Sequence, residues 1–363
     1  MQDNRPIIFV PGLMASNLWQ PARSNLLPAQ LAWPLNLYGL TSQLTLLEEI
    51  YPLEARGLVP GYYQELLAFI TNAASDGGLG RTLDENFWVF AYDWRQSCRI
   101  SGHQLQKFIV EKLTTANTQR TEQNLPMWES VDIINHSMGG LVTRVAIKNF
   151  AAPVERVVYI ASGDYGIAKA FFALHHDTVP KLVDEFVRDF LPGWYWDLLK
   201  ALPNIWLIQN WLIRLMGTFQ VMYELLPDNF YLEDSHNLIV NAVNEPVFGS
   251  EATYFSNLWQ LAEAQQQRVR QALRFKEILG QDLPGDQNLL IYCDSLPTYT
   301  QAHFTTRLEY PERSNTGDGT VSGHSITRDS RATRVIVEGL HSQLPDLPVT
   351  HEAIREFLLL SDR

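Results

Sequence analysis

Five residues, Asn135-His136-Ser137-Met138-Gly139, carry the first chemical suggestion in this chain. They match the nucleophile pattern G-x-S-x-G except at its first position, where Asn135 replaces glycine. In that pattern a serine sits on a strained turn between a strand and a helix, and small neighbours let the two elements approach. The required context is present. Val131, Ile133 and Ile134 form a short apolar run before the turn, and Leu141, Val142, Val145, Ala146 and Ile147 follow it, spaced as on one helix face. Asparagine accepts crowded and left-handed geometry better than most residues, so Asn135 weakens the match without breaking it. The plainer alternative is a serine that only caps the helix.

A serine hydroxyl is a poor nucleophile at neutral pH and needs a base oriented by a third group. Behind this kind of turn the chain order is serine, acid, histidine. Asp318 lies between Gly317 and Gly319 in SNTGDGTV, on a turn that can push a carboxylate into a cleft, although Asp-Gly is also an ordinary turn dipeptide. Asp294, just after the apolar run LLIYC, is the rival acid. Nine histidines compete for the base. His341 follows the run TRVIVE and the turn Gly339-Leu340 and precedes a helix, where a last strand-loop-helix unit would place an imidazole. His351 is the runner-up. His324 comes too early in the order, and His136 reads as a packing or hydrogen-bonding residue.

An acyl-transfer site must also hold a developing oxyanion, usually with two main-chain N–H donors. One is expected from Met138, the residue after the nucleophile. The other is expected from the loop Pro11-Gly12-Leu13-Met14, where Gly12 lets the backbone swing close; Met14 is the choice and Leu13 the alternative. His175-His176-Asp177 could suggest a metal, but no further ligand pair is spaced to help, so neither metal nor cofactor is expected.

These residues need a scaffold. PIIFV (6–10), NFWVFAY (86–92), VDIIN (131–135), RVVYIA (156–161), NLLIYC (288–293) and TRVIVE (333–338) read as strands. Helices are expected over 62–73, near 102–113, over 138–150 and near 350–360. The alternation predicts an α/β fold, a mostly parallel sheet with helices on both faces. Between Gly163 and Leu283 no convincing strand is read, and a helix is expected from Ser256 as N-cap to Gly280 as stop. The expected organisation is a core of 1–162 and 284–363 interrupted by a helical insertion, 163–283.

Composition sets limits. Of 363 residues, 46% are hydrophobic, enough for a large core, and the net charge is −12. That charge argues against nucleic acid, which is bound through Lys and Arg on phosphates, and against electrostatic docking on anionic membranes. The two cysteines, Cys98 and Cys293, cannot form a disulfide framework. The opening MQDNRPIIFVPG has no apolar signal core, and no window reaches eighteen uninterrupted apolar residues. The expectation is a cytoplasmic protein.

Five separated stretches, IIFVPGLMASNL, AYDWR, NHSMGG, MYELLPDNFY and TGDGTVS, occur in that order between residue 7 and the final third of the chain. Together they make the sequence resemble the lecithin:cholesterol acyltransferase family, which includes phospholipid:diacylglycerol acyltransferases and lysosomal phospholipase A2. The resemblance implies an α/β-hydrolase fold with a lid and a Ser-Asp-His triad acting on lipid esters. It implies Asp318 rather than Asp294 as the acid, His341 rather than His351 as the base, and Met14 as an oxyanion donor. Asp93-Trp94-Arg95 matches the family's Asp-Trp-Arg signature and is expected to support the site from below. The signal peptide and lid disulfide of secreted members are not seen.

The insertion then reads as the lid. Residues 203–217 fit a helix with Pro203 in its first turn and Gly217 at its end, and its apolar arc is wider than one core face needs. Trp194, Trp196, Trp206 and Trp211 suit an acyl-chain tunnel or a surface lying at a lipid interface, although burial between core and lid would use the same residues. The expected activity is acyl transfer from a lipid ester to water or to an alcohol, with peripheral membrane contact through the lid. The alternative is a catalytically silent relative whose lid binds lipid or a protein.

Overall fold

A computed structural model describes residues 5–22, 29–34, 52–174, 214–233, 237–247, 252–256, 261–305, 309, 311–326 and 329–360. Six strands form one parallel sheet: β1 (Ile7–Val10), β5 (Phe87–Val89), β6 (Val131–His136), β7 (Val154–Ile160), β9 (Gln287–Tyr292) and β12 (Thr333–Ile336). Their order is β12-β9-β7-β6-β1-β5. All six coincide with strands expected from the apolar runs, with ends that differ by a few residues.

Every residue of β6 is buried, as expected of a central strand covered on both faces. Alternation sorts the side chains by face. Ile8, Val10, Val131, Ile133, Val157 and Tyr159 join one cluster, under α2 (Cys98–Glu122) and α3 (Gly139–Phe150). Ile7, Phe9, Ile134, Val158 and Ile160 join the other, under α1 (Gln64–Thr71) and α9 (Pro348–Leu360). Each such aliphatic side chain contributes about 1.5–3 kcal/mol when fully buried, so these two layers dominate the stability of the core. Position 136 therefore faces the α1/α9 side and position 135 the α2/α3 side.

The strand order reverses once. The chain goes from β1 to β5 at the sheet's edge, then returns past β1 to β6 and continues outward through β7, β9 and β12. The switch lies between β1 and β6, whose ends are level because Val10 pairs with Asn135. In open parallel sheets the crevice at the carboxyl ends of strands at such a switch is where ligands bind. Here it places the loop Pro11–Met14 beside Ser137.

Two smaller sheets were not expected. β2 (Ser16–Gln20) pairs antiparallel with β3 (Gln30–Trp33) and β4 (Glu54–Leu58). β10 (Leu296–His303) pairs antiparallel with β11 (Glu312–Gly317) and parallel with β8 (Ile239–Val240). The two-residue β8 falls inside the segment expected to lack strands, a correction to that reading. The apolar run behind it, Leu238-Ile239-Val240, is only three residues long, and its backbone pairs with Ala302 and His303.

Within 163–283, the segment expected to be an insertion, the described helices are α4 (Ala168–Leu174), α5 (Gln220–Glu224), α6 (Asn229–Glu233), α7 (Ala252–Phe255) and α8 (Glu263–Leu279). Ser256 does not cap α8. Its hydroxyl donates back to the Thr253 carbonyl, and the N-cap of α8 is Ala262, whose N–H donates to the Gln265 side-chain oxygen. The stop at Gly280 does occur, with φ +67, which glycine reaches without penalty. Of the 203–217 helix only its last turn, 214–216, lies within the described residues; Trp194, Trp196, Trp206 and Trp211 lie outside them. No helix among the described residues is long and apolar enough to cross a membrane.

Candidate active site

Ser137 stands at the end of β6 with φ +53, a left-handed conformation that a non-glycine residue adopts only when its surroundings impose it. Its N–H donates to the Ile160 carbonyl and its carbonyl accepts from Gly140 N–H, both at 2.9–3.0 Å. The glycines that follow are needed for space. A Cβ on Gly139 would lie 2.5 Å from the Val10 carbonyl oxygen and 2.7 Å from that of Pro11. One on Gly140 would collide with the Ser162 side chain.

The structure brings Ser137, His341 and Asp318 together. Ser137 Oγ is 2.9 Å from His341 Nε2, and His341 Nδ1 is 2.7 Å from Asp318 Oδ2. Asp318 Oδ1 accepts from the N–H groups of Thr320 and Val321 at 2.9 and 2.7 Å, which leaves Oδ2 for the ring. The carboxylate fixes the tautomer: Nδ1 carries the proton, and the Nε2 lone pair faces the serine hydroxyl. The three residues are only 2–3% exposed. The buried Lys169 ammonium donates to the Gly319 carbonyl at 3.3 Å and steadies the turn that presents the acid.

The rival residues lie elsewhere. Asp294 is exposed and shares a separate depression with Tyr292, Ser314 and His324. His324 Nε2 faces the Tyr231 carbonyl at 3.2 Å. His351 stacks on Phe69 with centroids 4.6 Å apart and donates from Nε2 to the Pro345 carbonyl. Burial pushes its pKa down. None of the three reaches Ser137.

Two sources of N–H groups flank the serine. Met138 is the N-cap of α3, so the helix starts directly after Ser137 and turns its free first-turn amides toward it. In the loop after β1, Leu13 lines the crevice beside Ser137, whereas Met14 is buried with φ +63 and its carbonyl accepts from Trp33 Nε1 at 2.7 Å. Among the described residues the main-chain N–H groups of Leu13, Met14 and Met138 donate to no protein acceptor. Three free buried donors beside a serine suit an anionic oxygen. The crevice, lined by Gly12, Leu13, Tyr62, Tyr63, His136, Ser137, His341 and Ser342, has a volume of about 10 Å³. That is room for about one water molecule.

His136 does more than fill space. Its Nε2 donates to the His341 carbonyl at 3.1 Å, and its Nδ1 accepts from the Tyr63 hydroxyl at 2.9 Å. Burial pushes its pKa well down, so the ring is neutral. Tyr63 was missed in the sequence because nothing near it carries a motif. The parity of β6 could have shown that His136 points to the same sheet face as the expected base.

On the opposite face Asn135 is fully buried, and its amide has no hydrogen-bond partner. Near it Arg144 pairs with Asp164 at 3.1 Å, and Lys276 donates to the Asp164 carbonyl. Asp93 and Arg95 form a buried two-point ion pair, and Trp94 Nε1 donates to the Ser16 carbonyl, so this tripeptide ties β2 to the core. No cluster of three or more His, Cys, Asp or Glu that could hold a metal occurs among the described residues; His175, His176 and Asp177 lie outside them.

No protein-family model matches the sequence, and no curated protein matches it. Among solved structures, the chain is similar to one in the crystal structure of the Tle4-Tli4 complex, with a TM-score of 0.62 and 13% identity over 99% of both chains. Looser likenesses are to Bacillus licheniformis lipase BlEst2 in its propeptide form (TM-score 0.44, 12% identity, 98% of this chain and 50% of that one) and to lipase 1 from Pelosinus fermentans (0.41, 11%, 100% and 98%). The resemblance to the lecithin:cholesterol acyltransferase family is not carried further by these comparisons. The parallel six-stranded sheet with its helical layers, together with the full-length similarity to the first of these structures, is the α/β-hydrolase fold.

Proposed function

We propose that the chain is a serine-dependent acyl hydrolase or O-acyltransferase acting on lipid esters, phospholipid or neutral lipid. The observation that carries this reading is the hydrogen-bonded series Ser137 Oγ, His341 Nε2, His341 Nδ1, Asp318 Oδ2, with links of 2.9 and 2.7 Å. His341 takes the Ser137 proton as Oγ attacks the ester carbonyl. The tetrahedral oxyanion is held by the N–H groups of Met14 and Met138, with Leu13 as the alternative to Met14. As the C–O bond breaks, His341 returns the proton to the leaving alcohol, and an acyl-Ser137 ester remains. Water, or an acceptor alcohol, then gives its proton to His341 and takes the acyl group, restoring Ser137.

The lipid class rests on the five family-like stretches and on the apolar insertion 163–283, which we read as the lid and the surface for peripheral membrane contact. Cys98 and Cys293 are buried and unbridged, in keeping with a cytoplasmic setting. Asn135 favours a second reading, a catalytically silent lipid- or protein-binding relative, since it departs from the nucleophile pattern.

Labelling by a fluorophosphonate, compared with Ser137→Ala, separates the two. The proposal expects stoichiometric labelling of the wild type and none of the variant; an unlabelled wild type overturns it. Product analysis on a defined phospholipid, with and without an added alcohol, then assigns the acceptor: free fatty acid alone means water, and a new ester means the alcohol.

A further inference from the structure

We propose that His136 and Tyr63 are positioning residues that tie the oxyanion loop to the base loop across the nucleophile turn. The inference rests on the Ser137 reading above. The path has three links. Gly12 N–H donates to the Tyr63 phenol oxygen at 3.0 Å, the phenol O–H donates to His136 Nδ1 at 2.9 Å, and His136 Nε2–H donates to the His341 carbonyl at 3.1 Å. Every donor and acceptor role is fixed. A carbonyl only accepts, so the His136 proton sits on Nε2; Nδ1 must then accept, so the phenol must donate and is free to receive the Gly12 amide.

The two ends of this path are the two main-chain positions the reaction depends on. Gly12 begins the loop whose next amides, Leu13 and Met14, carry free N–H groups. His341 carries the base, and its main chain decides where the ring can point. Gly12 also packs tightly against the path: a Cβ there would lie 3.1 Å from both His136 Nδ1 and Ser137 Cβ. A second tie reinforces the first. Tyr63, itself at φ +57, precedes α1, and the Leu66 N–H in the first turn of α1 donates to Asp346 Oδ1 at 2.9 Å, on the segment that follows His341. The start of α1 thus grips the base loop at Asp346 and, through Tyr63 and His136, at His341.

A histidine satisfied merely as core would show its loss in stability alone. A positioning residue shows it in the chemical step, because a misplacement of about 1 Å can lower the rate about 100-fold. The probe is hydrolysis of p-nitrophenyl butyrate by the full chain, with thermal melts and the rate of Ser137 phosphonylation by a fluorophosphonate. His136→Phe is expected to lower kcat about 100-fold with KM within about threefold. His136→Gln offers an acceptor and a donor at nearly the same separation as the ring nitrogens, and is expected to recover kcat to within about tenfold of wild type. Tyr63→Phe removes one oxygen and tests the path where His136→Phe fails to fold; its kcat and phosphonylation rate are expected to fall about tenfold. The double variant Tyr63→Phe/His136→Phe is expected to be no slower than His136→Phe, since the path is already cut. Wild-type rates in Tyr63→Phe, or a His136→Gln no faster than His136→Phe, overturn the inference. An unlabelled wild-type Ser137 instead overturns the catalytic reading beneath it, so the two failures are distinct.

Discussion

Asp318 and His341 are joined twice. The His341 N–H donates to the Asp318 main-chain carbonyl at 2.9 Å, while its ring donates from Nδ1 to the Asp318 carboxylate at 2.7 Å. Two loops that follow different strands are thereby locked as a pair before any substrate arrives. The turn of Asp318 is closed by its own N–H on the Val321 carbonyl and by Gly319 N–H on Thr298 Oγ1. In the proposed mechanism the acid would therefore orient the base from a fixed platform.

This platform makes Asp318→Asn a test of charge and tautomer rather than of folding. The amide oxygen can keep the Thr320 and Val321 N–H groups, but its NH₂ then faces Nδ1 and drives the His341 proton to Nε2, where it blocks Ser137. We expect kcat to fall about 10⁴-fold with little change in Tm. Asp294→Asn, at the exposed rival, is expected to stay within about twofold of wild type. Ester hydrolysis and melting curves for both variants decide the assignment; equal losses would mean that neither aspartate orients the base.

Gly139→Ala probes the contact that sets the nucleophile. The new methyl would meet two main-chain oxygens, of Val10 and Pro11, and neither can rotate away. Helix α3 must retreat from β1, taking the Met138 amide with it. Overpacking of this kind costs about 1–3 kcal/mol, so urea midpoints should fall and phosphonylation of Ser137 should slow with them. A variant with wild-type midpoint and rate would show that α3 can move without disturbing the serine.

How far the sequence could be read follows from what each element buries. The six parallel strands are apolar runs because both sheet faces are covered, and such runs stand out. β2, β3 and β4 were invisible: SNLWQ, QLAW and EARGL are short, partly exposed and without clean alternation, so their pairing is imposed by tertiary contact. β11, ERSNTG, is nearly all polar for the same reason. At the site, Ser137 was legible from its strand, turn and helix. The choice of Asp318 over Asp294 rested on the family resemblance, because the residues alone cannot say which loop folds back over β6. Tyr63 joins the site across 73 positions of chain, a closeness that no local pattern encodes.

Below the active site, Arg156 and Asp132 pair side by side on β7 and β6, with Nη2 to Oδ2 at 2.6 Å and both side chains buried. Arg156 Nη1 also donates to the Leu358 carbonyl and so pins α9. Arg156→Met strands the carboxylate with only the partly exposed Arg5 at 3.2 Å. A loss of about 3–5 kcal/mol is expected by urea unfolding. Arg156→Met/Asp132→Leu, which buries no charge, should regain much of it; a double variant no better than the single would mean that the Leu358 contact, not the ion pair, carries the stability.

Glu224 offers a test in pH. Its carboxylate lies at the start of α2, accepting from Ser97 Oγ and from Cys98 N–H, each at 2.7 Å. Burial pushes its pKa up; these hydrogen bonds and the Lys276 charge pull it back only in part. The sign follows from linkage. A carboxyl whose folded value lies above its unfolded one is favoured by the fold in its neutral form, so its contribution is complete below the usual glutamate value of about 4.3 and is lost as pH rises through the folded value. Glu224→Gln carries no titrating group here. The difference in Tm, wild type minus Glu224→Gln, is therefore expected to decline from about pH 4 upward and to level off once the folded carboxyl has ionised. A difference that grows with pH would mean that attraction between the carboxylate and the N-terminus of α2 outweighs the loss of its hydration.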